Sequence, residues 1–163
     1  MPEEARGKAG TPTERRNKPE RPRDELGRPQ PWGARNRLEL EDFDSLTPEE
    51  NHRLAREHFN AGRFFPAHEA WETAWKQARA TADAEFFKGL SQLGAGYVHL
   101  LRGNRHGAIQ LLRRAARRVG GYPSAHRGID APRIGAAASA EADAVERGEI
   151  EPGPQAQHHA PVV

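Results

Sequence analysis

The chain has 163 residues, with 25 Lys and Arg against 23 Asp and Glu, a net charge of +2 and no cysteine. The missing cysteines exclude disulfide scaffolds, thiol catalysis and cysteine metal sites together. Only 36% of residues are hydrophobic, and 16 Gly with 13 Pro are more than one uniformly packed body carries, so part of the chain is expected to lie outside the core.

Position along the chain divides the charge. Residues 1–38 carry ten basic and six acidic groups, residues 39–122 twelve and eleven, and residues 123–163 three and six. Six of the 13 prolines precede residue 39 and no apolar periodicity runs there, which predicts a basic, disordered, Pro-rich arm over 1–38. Met1-Pro2-Glu3-Glu4 lacks the apolar stretch of a signal peptide, and no apolar run approaches the roughly 20 residues of a membrane span. A cytoplasmic protein without membrane contact is expected. An excess of two charges is too small to set up a strong nucleic-acid-binding field.

Helical patterning begins at Thr47-Pro48-Glu49-Glu50, where a Thr cap, a Pro at the first helical position and a Glu three residues on form a capping box. That helix runs to about Asn60 and stops at Ala61-Gly62. A second, from about Pro66 to Arg79, spaces Ala67, Trp71, Ala74 and Ala78 along one face, with Trp75 beside them. A third covers about Ala84 to Leu101, with Phe86, Leu90, Leu93, Tyr97 and Leu101 inward. Its Gly89, Gly94 and Gly96 each weaken a helix by about 1 kcal/mol relative to Ala, which makes sense where a helix or ligand approaches the backbone closely. A fourth runs from about Arg105 to Val119, and a weaker fifth from Ala131 to Arg147. No period-two pattern supports strands. The expectation is an all-α, single compact bundle of four to five helices, its core in 39–122, with residues 123–163 supplying a weak C-terminal helix over 131–147 and a disordered tail from Gly148.

The chemistry-bearing residues cluster in the second and third helices. His68 and Glu72 are four apart and share one face beside Trp71 and Trp75, while the backbone turns Glu69 about 100° away. The pattern lacks the second histidine of a zinc-protease motif. The pair can hold a divalent metal with help from other helices, can act as an acid/base couple, or can bond each other and simply fix helix packing. Glu85, Gln92 and His99 form a polar stripe on the third helix. If the two helices make an antiparallel hairpin, residue 70 lies level with 92, which makes Gln92 the nearer neighbour of His68 and places His99 toward Arg63 and Phe64. The arginines of the fourth helix, Arg113, Arg114, Arg117 and Arg118, read either as a solvated basic face or as a phosphate contact.

The block Phe59-Asn60-Ala61-Gly62-Arg63-Phe64, followed by Ala67-His68-Glu69-Ala70-Trp71-Glu72-Thr73-Ala74-Trp75, resembles a small helical family catalogued as domain of unknown function 309. Gly89-Leu90-Ser91-Gln92-Leu93, His99, Gly103-Asn104, Gly107-Ala108 and Leu111-Leu112 follow in the family's order over about residues 47–119. The resemblance implies an all-helical bundle with His68, Glu69, Glu72, Trp75, Gln92 and His99 as signature positions, and it implies no activity. Ser91, where a large aliphatic residue is usual, and Gly94, where Ala is usual, depart from the pattern.

Three functions compete. The first is a ligand- or partner-binding module whose pocket is lined by Trp71, Trp75, Gln92 and His99, with a small molecule or a protein as partner. The second is a hydrolase-type or metal-assisted enzyme with His68, Glu69, Glu72 and His99 as candidate catalytic residues, and His68 and Glu72 as candidate ligands of a divalent metal cofactor. No nucleophile elbow, phosphate loop or complete ligand set accompanies them. The third, weak nucleic-acid binding through the arm, is disfavoured by the small charge excess. A homodimer is a further expectation for so small a bundle.

Overall fold

The computed structural model describes residues 20–163. Helix α1, Pro48–Asn60, opens as its capping box requires: the Thr47 hydroxyl accepts from the Glu50 N–H at 3.2 Å, and the Glu50 carboxylate accepts from the Thr47 N–H at 2.8 Å. Helix α2 spans Phe64–Gln77, two residues ahead of the expected start at both ends. Pro66 is tolerated in its first turn because the N–H it lacks has no intrahelical partner there. Helices α3, Ala84–Leu101, and α4, Arg105–Val119, have the expected limits, α4 being capped by the Asn104 side chain on the Gly107 N–H. Helix α5, Ala131–Glu146, starts from the Asp130 cap. Each helix packs on the next in sequence, and the described residues contain no strand, so the chain is an all-α bundle. No helix among the described residues is long and apolar enough to cross a membrane.

Trp71 is fully buried at the centre, in ring contact with Phe59 at 5.8 Å, and Phe59 in turn meets Tyr97 at 5.7 Å. The indole N–H needs an acceptor in this core, and His52 of α1 supplies one: Trp71 Nε1 donates to His52 Nδ1 at 3.0 Å. His52 Nε2 therefore carries the ring proton and donates to the Arg127 carbonyl at 3.0 Å, tying α1 and α2 to the α4–α5 connection. Arg127, at φ +46°, is held from outside by Asp83 and Glu49.

The tail, expected to be disordered, packs on the bundle. The tail from Gly148 has no regular structure, yet Ile150 and Val163 are buried and His158 packs edge-on against Phe64 and Tyr97. The Glu141 carboxylate, also buried, accepts from the His159 N–H at 2.7 Å, and the Asn60 amide both donates to the Val163 carbonyl and accepts from its N–H at 2.9 Å. These scattered contacts offset chain entropy without leaving a periodic signature.

Of the expected arm, residues 1–19 lie outside the described residues. From residue 20 onward the chain folds around Asp24, whose buried carboxylate accepts from the N–H groups of Leu26 and Arg28 and from the Arg28 guanidinium. Burial alone pushes this carboxyl up, but those donors together hold it below its ordinary value. Gly27, at φ +74°, presses on Phe65 of α2, where a Cβ would stand 2.3 Å from the ring. Arg102 donates to the Leu26 carbonyl, docking the same turn to the end of α3.

Burial, the largest cause, holds His52 below the ordinary histidine pKa, so the core keeps it neutral. The unfolded chain takes up a proton near pH 6.5 that the folded chain refuses, so this contribution is present above about pH 6.5 and is lost as pH falls below it. His99 and His158, lowered mainly by burial as well, act in the same direction. The thermal midpoint by circular dichroism is expected to fall between pH 7.5 and 5.0, with a shallower fall in His52→Gln; an equal slope in that variant contradicts the assignment.

Candidate functional site

Helix α2 presents one imidazole and two carboxylates on its outer side. His68 Nε2 lies 3.5 Å from Glu72 Oε2 and 3.8 Å from Glu69 Oε1, with all three side chains partly buried. Glu69 was expected to face away. Its Cα does lie about 100° round the helix, but three side-chain torsions let the carboxylate swing back beside the imidazole. One donor atom from each residue lies within 4.8 Å of the other two.

The second nitrogen of His68 fixes the ring. Nδ1 is 3.0 Å from the Ser91 carbonyl and 2.9 Å from Ser91 Oγ, and that hydroxyl donates to the His68 carbonyl at 3.2 Å. A carbonyl can only accept, so Nδ1 bears a proton, and this turns Nε2 to the side where the carboxylates stand. The bond exists because α3 runs very close to α2: a Cβ on Gly94 would lie 3.1–3.2 Å from the backbone and Cβ of His68. The two positions that depart from the family pattern, Ser91 and Gly94, therefore both abut His68.

The other expected site residues scatter. Trp71 belongs to the core and lines no pocket. Trp75 packs partly buried at the core's edge, its ring under Lys88 at 5.0 Å and Arg79 at 5.7 Å. The hairpin level is as expected, His68 standing opposite Gly94, but Gln92 is turned about 100° from Ser91 and its carbonyl accepts from Arg118 of α4 at 3.0 Å. The histidine bonded to neither helix α2 nor its carboxylates, His99, accepts at Nδ1 from the Asn104 amide at 2.9 Å. Burial first, then the charge of Arg102, lower its pKa. On α4, Arg118 pairs with Glu85 at 2.9 Å and Arg113 with Asp143 and Glu146 of α5, so two of the four arginines serve helix packing.

A cavity of about 640 Å³ borders the cluster, between the arm and the start of α2. Phe65 and Glu69 line it from α2, and Arg21, Arg23, Asn36 and Leu38 from the arm. Its size is that of small-molecule sites. Glu69 is thus common to the cluster and the cavity wall. Sequence reasoning missed Ser91 as the residue that orients His68, and the arm as a wall; the departure at Ser91 from the usual aliphatic residue was the available signal for the first.

An all-α bundle with this His/Glu/Glu group on its second helix is the class of protein defined so far. Residues 52–111 match the family model described as Domain of unknown function (DUF309), so this part of the helical core is similar to that family. No curated protein and no solved structure matches the chain. The matched stretch runs from within α1 to within α4 and contains His68, Glu69, Glu72, Ser91 and Gly94, whereas residues 20–40 lie before it.

Ser91→Ala removes the hydroxyl but keeps the carbonyl, so the Nδ1-protonated form is expected to persist in that variant while its share of the other tautomer rises. Histidine-selective ¹⁵N correlation spectra above pH 7.5 read the two forms directly; a wild-type His68 protonated at Nε2 refutes the bonding described.

Proposed function

We propose that this chain is a ligand-binding module in which His68, Glu69 and Glu72 seat a divalent first-row metal ion beside a small-molecule cavity. The observation that carries the reading is Nε2 of His68, its ring held by Ser91 at Nδ1, next to two carboxylates. Ligands about 2.1 Å from a tetrahedral ion stand about 3.4 Å apart, close to the 3.5 and 3.8 Å separations here, so modest side-chain movement closes the set. One nitrogen with two carboxylate oxygens suits Mn²⁺ or Zn²⁺. The hydrogen bond from Nδ1–H to a backbone carbonyl is the support that metal-bound histidines ordinarily have.

A nucleophilic hydrolase fits less well. Ser91, His68 and Glu72 do form a hydroxyl–imidazole–carboxylate chain, but Ser91 is only 5% exposed and the Nδ1 proton is spent on its carbonyl, so the hydroxyl faces no base and no substrate. Binding requires neither.

Isothermal titration of the full chain with Mn²⁺ or Zn²⁺ is expected to give one site. His68→Ala and Glu72→Gln are expected to lose more than about tenfold in affinity with helix content unchanged by circular dichroism, and Ser91→Ala, which keeps the orienting carbonyl, a smaller amount through the rising share of the other tautomer. Uptake unchanged in all three variants overturns the seat. Should His68→Ala unfold, Glu72→Gln, at an outward-facing side chain, gives the deciding comparison.

A further inference from the structure

We infer that the cavity takes a small ligand bearing a phosphoryl group, which bridges the ion seated by His68, Glu69 and Glu72 to Arg21 and Arg23 of the arm. This rests on the metal seat proposed above. Three protein donors would leave coordination positions open on the ion, and one of those donors, Glu69, also stands in the cavity wall.

The arginines of the arm near the cavity differ in what holds them. Arg28 pairs with Asp24 at 2.7 Å and Arg37 with Glu25 at 3.4 Å. Arg21 and Arg23, the two that line the cavity, have no carboxylate within ion-pair distance among the described residues. Backbone carbonyls hold them instead: Arg21 Nε donates to the Gln30 carbonyl at 2.7 Å and Arg23 Nη1 to the Gly27 carbonyl at 3.4 Å. Each guanidinium is thereby positioned without being neutralised, and its remaining N–H groups are available to an anion. The acidic residues of the wall are Glu69, which the ion neutralises, and Glu20, which is solvent-exposed.

A phosphoryl group matches this arrangement better than a carboxylate does. Its three terminal oxygens can meet one cation and two guanidiniums at once, where a carboxylate has two oxygens to divide among three partners. Phe65, Leu38 and the exposed Leu40 add an apolar wall for an organic remainder. The roof depends on Gly27 against Phe65, so the arm's docking sets the distance between the arginines and the ion.

The test uses the full chain with Mn²⁺ alone, then with inorganic phosphate, phenyl phosphate or malonate, followed by titration and by paramagnetic broadening of the ³¹P signal. Phosphate and phenyl phosphate are expected to bind only the Mn²⁺-loaded protein, with ³¹P broadened well beyond its value in free Mn²⁺ solution, and malonate at least tenfold more weakly. The Arg21→Gln/Arg23→Gln pair is expected to lose phosphate affinity tenfold or more with Mn²⁺ affinity unchanged, and Gly27→Ala to act likewise by lifting the arm. Phosphate binding that ignores the metal, that survives both arginine substitutions, or that malonate equals overturns the inference while leaving the seat intact. Absence of Mn²⁺ and Zn²⁺ binding to the wild-type chain overturns the seat and this inference with it.

Discussion

The approach of α3 to α2 at Gly94 and His68 is the contact on which the site depends. With hydrogen in place of a methyl group, the two backbones come close enough for the Ser91 carbonyl to reach His68 Nδ1, and a single turn of α3 then decides which imidazole nitrogen faces outward. The same device recurs along α3. Gly89 meets Val119 and Gly96 meets Leu112 of α4, so all three glycines that weaken the helix in isolation are where a neighbouring helix lies against it. Their cost, about 1 kcal/mol each, is offset by the packing it permits.

How legible this was in the sequence follows from how local each signal is. Caps and breakers act over three or four residues, and Thr47, Asn104 and Asp130 each place a helix start where their side chains bond the first turn. The hairpin level of α2 and α3 was also readable, since it needs only two helix lengths and a turn. Azimuth was not: whether Ser91 or its neighbour Gln92 meets His68 depends on a rotation of 100° that level alone leaves open, and the answer reversed the expectation. Glu69 was misplaced for the opposite reason, because Cα direction says little about a carboxylate three bonds away.

The polar residues of the interior were harder still. His52 reads as an ordinary member of an amphipathic helix until the Trp71 indole is known to point at it across 19 residues of chain. Glu141 sits in an alanine-rich helix of weak pattern and proves to be the buried acceptor that holds the tail. Burial, aided by that nearby carboxylate, pushes the Tyr97 hydroxyl well above its ordinary pKa, so the aromatic cluster under the tail stays uncharged. Arm and tail were expected to be disordered because proline and glycine interrupt them and no apolar period runs through either. What holds them is a handful of backbone-directed bonds, to Asp24 at one end and Asn60 at the other.

The cavity is built from two stretches of chain, one inside and one outside the stretch matched by the family model. The His68, Glu69, Glu72 and Ser91 group lies wholly within the stretch shared with the family, while the opposite wall of the cavity comes from residues 20–40, outside it. The two halves are joined mainly by the fit of Gly27 on Phe65 and the bond from Arg102 to Leu26. A change confined to that seam would reshape and recharge the chamber while leaving the helices that hold His68, Glu69 and Glu72 as they are.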